Sequence, residues 1–527
     1  MQVGAANGDE ETQEAVKIIL VHVTPFRLKP SKSEYGLDMV GTEPGSSNTS
    51  TPPLPEGLVV FVKQDCQTCE LVEPVLEQLE AATGLTVFTQ DEPSFPASVT
   101  NKIFDSDLSV SWHHDIETVP TVLLIKNGRR MAETVGWSRS AWEKLTDVGD
   151  LGEGLPEQRP GCGSLSVDPN LADELTVRFS TTSLQSRRVE FAQLEDEHEA
   201  MFSRGWSDGL PVVPPTEAKV LAMLEATSLE PDEIVAVTPP DLIECTAEKA
   251  AINAVLAGCR PDYFPVVLAG LRAICNDRFN MHGVLATTMP VGPVFVVNGP
   301  IRHRIGMNSE LNVFGQGNRA NLTIGRAIQL IIRNVGGGRP GEVDRAALGQ
   351  PGKISFCFAE NEETSPWEPL SVAEGFEPGE DVITAFPGEA PRSVVDQLSR
   401  DPESLARSLA SCLLTVHHPK IIQAFDAILA IAPDHARVFR EAQWTRDHLI
   451  ERITEYTTRP GTELIRGAGG IAEGIPEKMA DSHLAKFRPG GLKIVHCGGG
   501  AGLFSAIIGG WGNGATGSDP VSVAITP

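Results

Sequence analysis

Two cysteines separated by two residues, Cys66-Gln67-Thr68-Cys69, stand where an apolar strand meets an amphipathic helix, and no other feature of the chain restricts its local fold as tightly. The run 58–62 (LVVFV) has the unbroken apolar character of a buried strand, and the segment after it spaces Leu71, Val72, Val75, Leu76 and Leu79 along one helical face. Asp65 is expected to cap that helix. Cys66 then lies among unpaired amides at the positive end of the helix dipole, which stabilises a thiolate, and Cys69 lies one turn further in. The spacing predicts a redox dithiol in which Cys66 attacks and Cys69 resolves. Half of a zinc site is the other use of such a pair, but no second CxxC or HxxxH follows at ligand spacing, so no metal is expected.

The motifs that follow the pair come in an order that resembles the thioredoxin family. Pro74 interrupts the helix, Thr118-Val119-Pro120-Thr121 runs into VLLIKNG, and TVGW with Gly136 precedes SAWEKL; together these cover roughly 56–148. The resemblance implies a thioredoxin-like fold, a cis peptide at Pro120 beside Cys66, and thiol–disulfide exchange with a client and without a cofactor. Four positions depart from the family pattern: Asp65 replaces its tryptophan, Val60 its buried acid, and Gln67-Thr68 the Gly-Pro of general reductants. Additional residues before Pro120, among them Phe95, Pro96, Trp112, His113 and His114, are expected to shape a docking surface.

With 527 residues the chain is long enough for two or three domains. The expected fold class is α/β throughout. A thioredoxin-like domain spans 1–148, including an early strand at 16–23 and a Pro/Ser-rich loop at 29–56. A linker follows at 149–193, opened by the Gly/Pro-rich stretch 149–163, and a larger mixed α/β domain occupies 194–527, with a subdomain division near 341–352. Helical spacing is clearest at 248–256, 265–274, 324–333, 394–414 and 437–456, and strand-like runs lie at 294–297, 354–358, 427–431 and 492–495. A net charge of -27 argues against nucleic acid or an anionic membrane as partner. The 16–23 run is too short to span a bilayer, and nine cysteines, an odd number, do not suggest a disulfide scaffold, so a cytoplasmic location with reduced thiols is expected.

Beyond the dithiol, four segments of the large region concentrate reactive residue types, of which the first, Trp206-Ser207-Asp208-Gly209-Leu210-Pro211, reads as a structural turn into a helix. The loop 312–321 opens a helix with Arg319 and Asn321 placed to hold a carboxylate or phosphate. Glu360 follows a strand carrying Cys357 and opens an acidic run. The ending puts Cys497 at the mouth of Gly498-Gly499-Gly500, a layout expected to form an anion-holding strand-loop-helix turn with Cys497 as nucleophile or redox partner. Thr216 is expected to cap a helix, His435 to be a satisfied core histidine, and Cys162 to exchange with Cys66 if exposed in the linker. The function expected is thiol–disulfide exchange between the dithiol and a fused domain that binds a small anionic substrate. The alternative makes the large domain a lyase or hydrolase and the first domain a docking module.

Overall fold

The computed structural model describes residues 17–21, 51–191 and 196–526, without the side chains of 17–21 and 190. Most of the expected loop 29–56 therefore lies outside the described residues. Chain contacts divide the molecule into two units, Ser31–Ser183 and Met1–Pro30 with Leu184–Pro527.

This division differs from the expected one at both ends of the first domain. The early strand, β1 (Lys17–Val21), pairs antiparallel with the strand Arg187–Phe191 and so belongs to the larger unit. The stretch 149–183 packs on the first unit instead of linking the two. The Arg139 guanidinium gathers its carbonyls, taking Gly152 at 2.8 Å and Leu155 at 2.7 Å, and Trp137 Nε1 donates to the Pro156 oxygen at 2.6 Å. Gly and Pro signalled a break in regular structure, but these backbone groups find fixed donors in the preceding helix and strand.

In the first unit β2 (Gly57–Val62) is the middle of a five-stranded sheet. It is followed by α1 (Gln67–Thr83), β3 (Leu85–Thr89) and β4 (Lys102–Phe104), which extend the sheet in parallel. A short α2 (Ser109–His113) and β5 (Thr118–Val119) lead to β6 (Thr121–Lys126) and β7 (Arg129–Val135), which complete the other side antiparallel. Leu58 to Val62 are buried on both faces of β2, as a central strand requires. Val72, Val75, Leu76 and Leu79 of α1 are fully buried against it. Next come β8 (Trp137–Ser138), α3 (Arg139–Thr146), β9 (Gln158–Arg159), β10 (Cys162–Gly163) and α4 (Ala172–Phe179).

The larger unit is built on one eight-stranded mixed sheet. Its parallel pairs are Gly292–Asn298 with Cys357–Ala359 and Phe425–Ile431 with Leu492–His496. The helices Ala247–Ala257, Phe264–Ile274 and Arg319–Asn334 bury nearly all their apolar residues in one core, and Pro402–Leu413 and Arg446–Thr457 belong to another. Thr216 caps Glu217–Leu224 as expected.

Three local expectations are corrected. The segment 394–414 is not one helix: Arg392–Val395 is a strand, and the helix starts only at Pro402, where Asp401 accepts the Ser404 amide at 2.9 Å. The segment 437–456 divides into Pro433–Glu441 and Arg446–Thr457, because Gln443 takes a positive φ and Thr445 begins a new cap. The run after Gly498–Gly500 is the strand Phe504–Gly512, not a helix, so the ending is a strand-loop-strand return. Glycines at 509, 510 and 512 weaken a helix there, and the strand pairs antiparallel with Phe425–Ile431.

Candidate functional site: the Cys66–Cys69 dithiol

The dithiol is built by the turn from β2 into α1. Asp65 does not cap the helix; its amide and that of Gln64 donate to the Asp91 carboxylate at 2.8 and 2.7 Å, which anchors the turn. The cap is Cys66 itself, whose Sγ accepts the Cys69 amide at 3.4 Å. Sulfur thus takes the place that a serine or aspartate oxygen normally fills.

The two thiols are driven in opposite directions. The Cys66 thiol is lowered to about 5, first by the hydrogen bond from the Cys69 side chain, then by bonds from the Cys162 side chain and from the Cys69 and Thr68 amides, against the opposing effect of burial. Burial pushes the Cys69 thiol far up, and its bond to the Cys66 sulfur adds to this. The shared bond between the two side chains lowers Cys66 and raises Cys69. No carboxylate is among the groups that shift Cys69, and Val60 is a fully buried apolar residue.

Pro120 stands across from the pair. The Val119–Pro120 peptide is cis, and the Val119 carbonyl oxygen lies 3.5 Å from Cys66 Sγ. All nine cysteines are free thiols in this structure. The expected docking residues are largely committed internally. Phe95 and Pro96 are buried, His113 packs on Phe179 with ring centroids 5.0 Å apart, and His114 Nε2 bonds the Pro52 oxygen at 2.7 Å.

The expected residues of the larger unit are brought together only in part. Glu360 is fully buried at a strand end, where its carboxylate accepts Asn298 Nδ2 at 2.8 Å, the Leu370 amide at 2.7 Å and the His496 amide at 3.3 Å. Burial raises its carboxyl, and these bonds oppose the rise. Gly498 donates its amide to the Ser309 oxygen at 2.9 Å, while the Asn321 side chain holds Asn308 through its amide and carbonyl at 3.0 and 2.9 Å. Asn321 thus fixes the loop beside Gly498, and Gly499 and Gly500 line a cavity with Thr364 and Arg440. Arg319 is exposed and donates to the Gly258 oxygen at 2.9 Å. Cys497 is buried, and its thiol is pushed up by burial and by the nearby Glu360. His435 is a satisfied core histidine, bonded to Ser505 Oγ at 2.8 Å and the Asp396 oxygen at 3.1 Å.

A cavity of about 340 Å³ lies where the sequence suggested only a turn-rich segment at Asp208 and a subdomain division near 341–352. Gln329, Arg333, Lys353, Asp208 and Asp344 line it. Asp208 is tied to Arg326 at 2.7 Å and Asp344 to Lys353 at 2.7 Å, whereas, among the described residues, Gln329 Nε2 and Arg333 Nε are buried with no hydrogen-bond partner. Arg333 and Gln329 lie one turn apart on Arg319–Asn334, a spacing visible in the sequence only once that helix is known to border a cavity. Among the described residues no group of three His, Cys, Asp or Glu is placed to hold a metal, and no helix is long and apolar enough to cross a membrane.

Comparison with known proteins bears on the first unit. A family model described as TraF: F plasmid transfer operon protein matches residues 55–147. Among solved structures, a crystal structure of StoA from Bacillus subtilis is similar, at 15% identity and a TM-score of 0.15, covering 18% of this chain and 83% of that one. No curated protein matches the chain. The N-terminal domain is thioredoxin-like, and the chain as a whole is multidomain α/β.

Proposed function

We propose that the thioredoxin-like unit is a thiol–disulfide oxidoreductase in which Cys66 is the nucleophile and Cys69 the resolving thiol. The observation that carries this reading is the placement of two sulfurs on one helical turn, with Cys66 Sγ capping the helix at 3.4 Å from the Cys69 amide and 3.5 Å from the Val119 oxygen before the cis Pro120; Cys66 is lowered to about 5 and burial raises Cys69. A thiolate at neutral pH supplies the attacking electron pair, and a buried thiol keeps its proton until the mixed disulfide forms. Cys66 attacks a client disulfide, one client sulfur leaves as thiolate, and Cys69 then displaces the other, giving Cys66–Cys69 and a reduced client. The test is reduction of a synthetic peptide disulfide by the full chain after treatment with dithiothreitol. Cys66→Ser should lower the rate by about a thousandfold or more, as loss of a nucleophile does; a rate within a few-fold of wild type would refute the proposal.

A second reading concerns the larger unit, which we propose binds a small anionic compound. The supporting observation is the cavity beside Arg333 and Gln329, where buried donors lack acceptors among the described residues. Inorganic phosphate and malonate should each raise the unfolding temperature of the full chain, and Arg333→Ala should remove the effect. An equal rise in the variant would defeat this reading.

A further inference from the structure

The segment after α3 turns back across the dithiol. Following the pairing of β9 with β8, β10 pairs antiparallel with β5 and sets Cys162 opposite Val119. The Val119 carbonyl oxygen is the one 3.5 Å from Cys66 Sγ, so this register sets the Cys162 backbone against the residue that touches Cys66. Cys162 packs on the cluster that contains Cys66 and Cys69, and burial together with Cys66 pushes its thiol up.

The residues between the two cysteines hold this strand down. Thr68 Oγ1 donates to the Pro160 oxygen at 2.7 Å, and Arg159 donates to Gln67 Oε1 at 2.6 Å. Gly161 allows the approach: a Cβ there would lie 2.5 Å from Thr118 Cγ2 and 2.7 Å from the Val119 oxygen. Gly136 meets it from the other side, where a Cβ would lie 2.8 Å from the Gly161 nitrogen. Under this strand Cys66 is only 3% exposed, so an external disulfide reaches its sulfur only when the strand moves aside. Cys69 and Cys162 are the thiols within its reach.

We propose that Cys162 is a third redox-active cysteine, an internal exchange partner that forms a Cys66–Cys162 disulfide and keeps the site closed to other clients while it lasts. The proposal rests on the reading of Cys66 as the exchanging sulfur. Starting from the Cys66–Cys69 disulfide, the Cys162 thiolate attacks Cys66 Sγ. The 66–69 bond breaks as the 66–162 bond forms, and Cys69 leaves as a thiolate that takes up the proton given up by Cys162. No electrons enter or leave. The reverse attack by Cys69 regenerates the starting pair and removes the covalent tie between the Cys162 strand and Cys66. Adjacency in one folded unit gives Cys162 an effective concentration of millimolar order or above relative to Cys66, which favours it over dilute competitors.

The test is disulfide mapping of the full chain. Wild type, Cys69→Ser and Gly161→Ala are equilibrated in oxidised and reduced glutathione, blocked with N-ethylmaleimide, digested without reduction and read by mass spectrometry. Cys69→Ser should carry the Cys66–Cys162 bridge in most molecules. Finding Cys66 there mainly as a glutathione adduct or blocked thiol, with Cys162 free, overturns the proposal. Gly161→Ala, which keeps all three cysteines, should lower the Cys66–Cys162 population by about tenfold and raise the alkylation rate of Cys66 by a similar factor, as the overpacked strand lifts away. Unchanged values in a chain that still forms Cys66–Cys69 also overturn it. A wild-type chain that forms no bridge at Cys66 defeats the oxidoreductase reading, whereas a normal Cys66–Cys69 bridge without any Cys66–Cys162 defeats only this inference.

Discussion

At the scale of single residues, the sulfur at position 66 is the helix cap and, on the proposed function, the nucleophile as well. Its folded pKa of about 5 lies below the ordinary 9.0, so alkylation of the reduced chain by iodoacetamide should show a pH midpoint near 5. A midpoint near 9 would mean that the Cys69, Cys162 and Thr68 donors do not act on it. The same shift is a stability statement. A depressed folded pKa adds stability that is complete above about 9 and is lost as pH falls toward 5. The stability difference between reduced wild type and Cys66→Ser, followed by urea unfolding, should therefore shrink over that window as the solution is acidified. The position of Cys66 at a strand–helix junction was legible from CxxC. The cap was not, because Asp65 is the better capping residue in isolation and only Asp91, 26 positions away, draws its amide elsewhere.

At the scale of elements, the surprise is how often one buried polar side chain holds a whole loop. Lys486, 1% exposed, donates to the carbonyls of Val416, His418 and Ile421 at 2.9, 2.7 and 2.9 Å. Lys420 does the same for Ile465, Ala468 and Ile471 at 2.7, 2.8 and 3.2 Å. Lys486→Met keeps the apolar stem and removes the donor, leaving three carbonyls with one fewer partner. It should destabilise the larger unit by about 3 kcal/mol or more, measurable by chemical denaturation. A change under about 0.5 kcal/mol would mean that water replaces the ammonium without cost. Amphipathic helices such as 319–334 could be read directly from their spacing. The break at 442–445 and the strand at 392–395 could not, since tertiary pairing and a local cap outweigh helical periodicity there.

At the scale of the whole molecule, each unit has hydrophobic clusters of its own. Leu76 lies in the cluster of the thioredoxin-like unit, and Ile328 in one of the clusters of the larger unit. Calorimetry of the full chain should resolve two transitions. Leu76→Ala should lower one and Ile328→Ala the other, each by the equivalent of about 2–5 kcal/mol; a single transition moved by both would show one cooperative body. By itself the sequence determined the α/β class, the thioredoxin-like unit and the place of its CxxC pair at the start of a helix, because these follow from apolar periodicity and from motifs within one local stretch. Only the tertiary structure decided that β1 pairs with 187–191 and that 149–163 is packed chain, not linker. It also decided that Cys162, about a hundred residues from the pair, stands against Cys66. The reason is the same in each case: strand partners and sulfur neighbours are chosen by the surfaces that meet when the chain closes on itself, and no local window of residues contains both sides of such a contact.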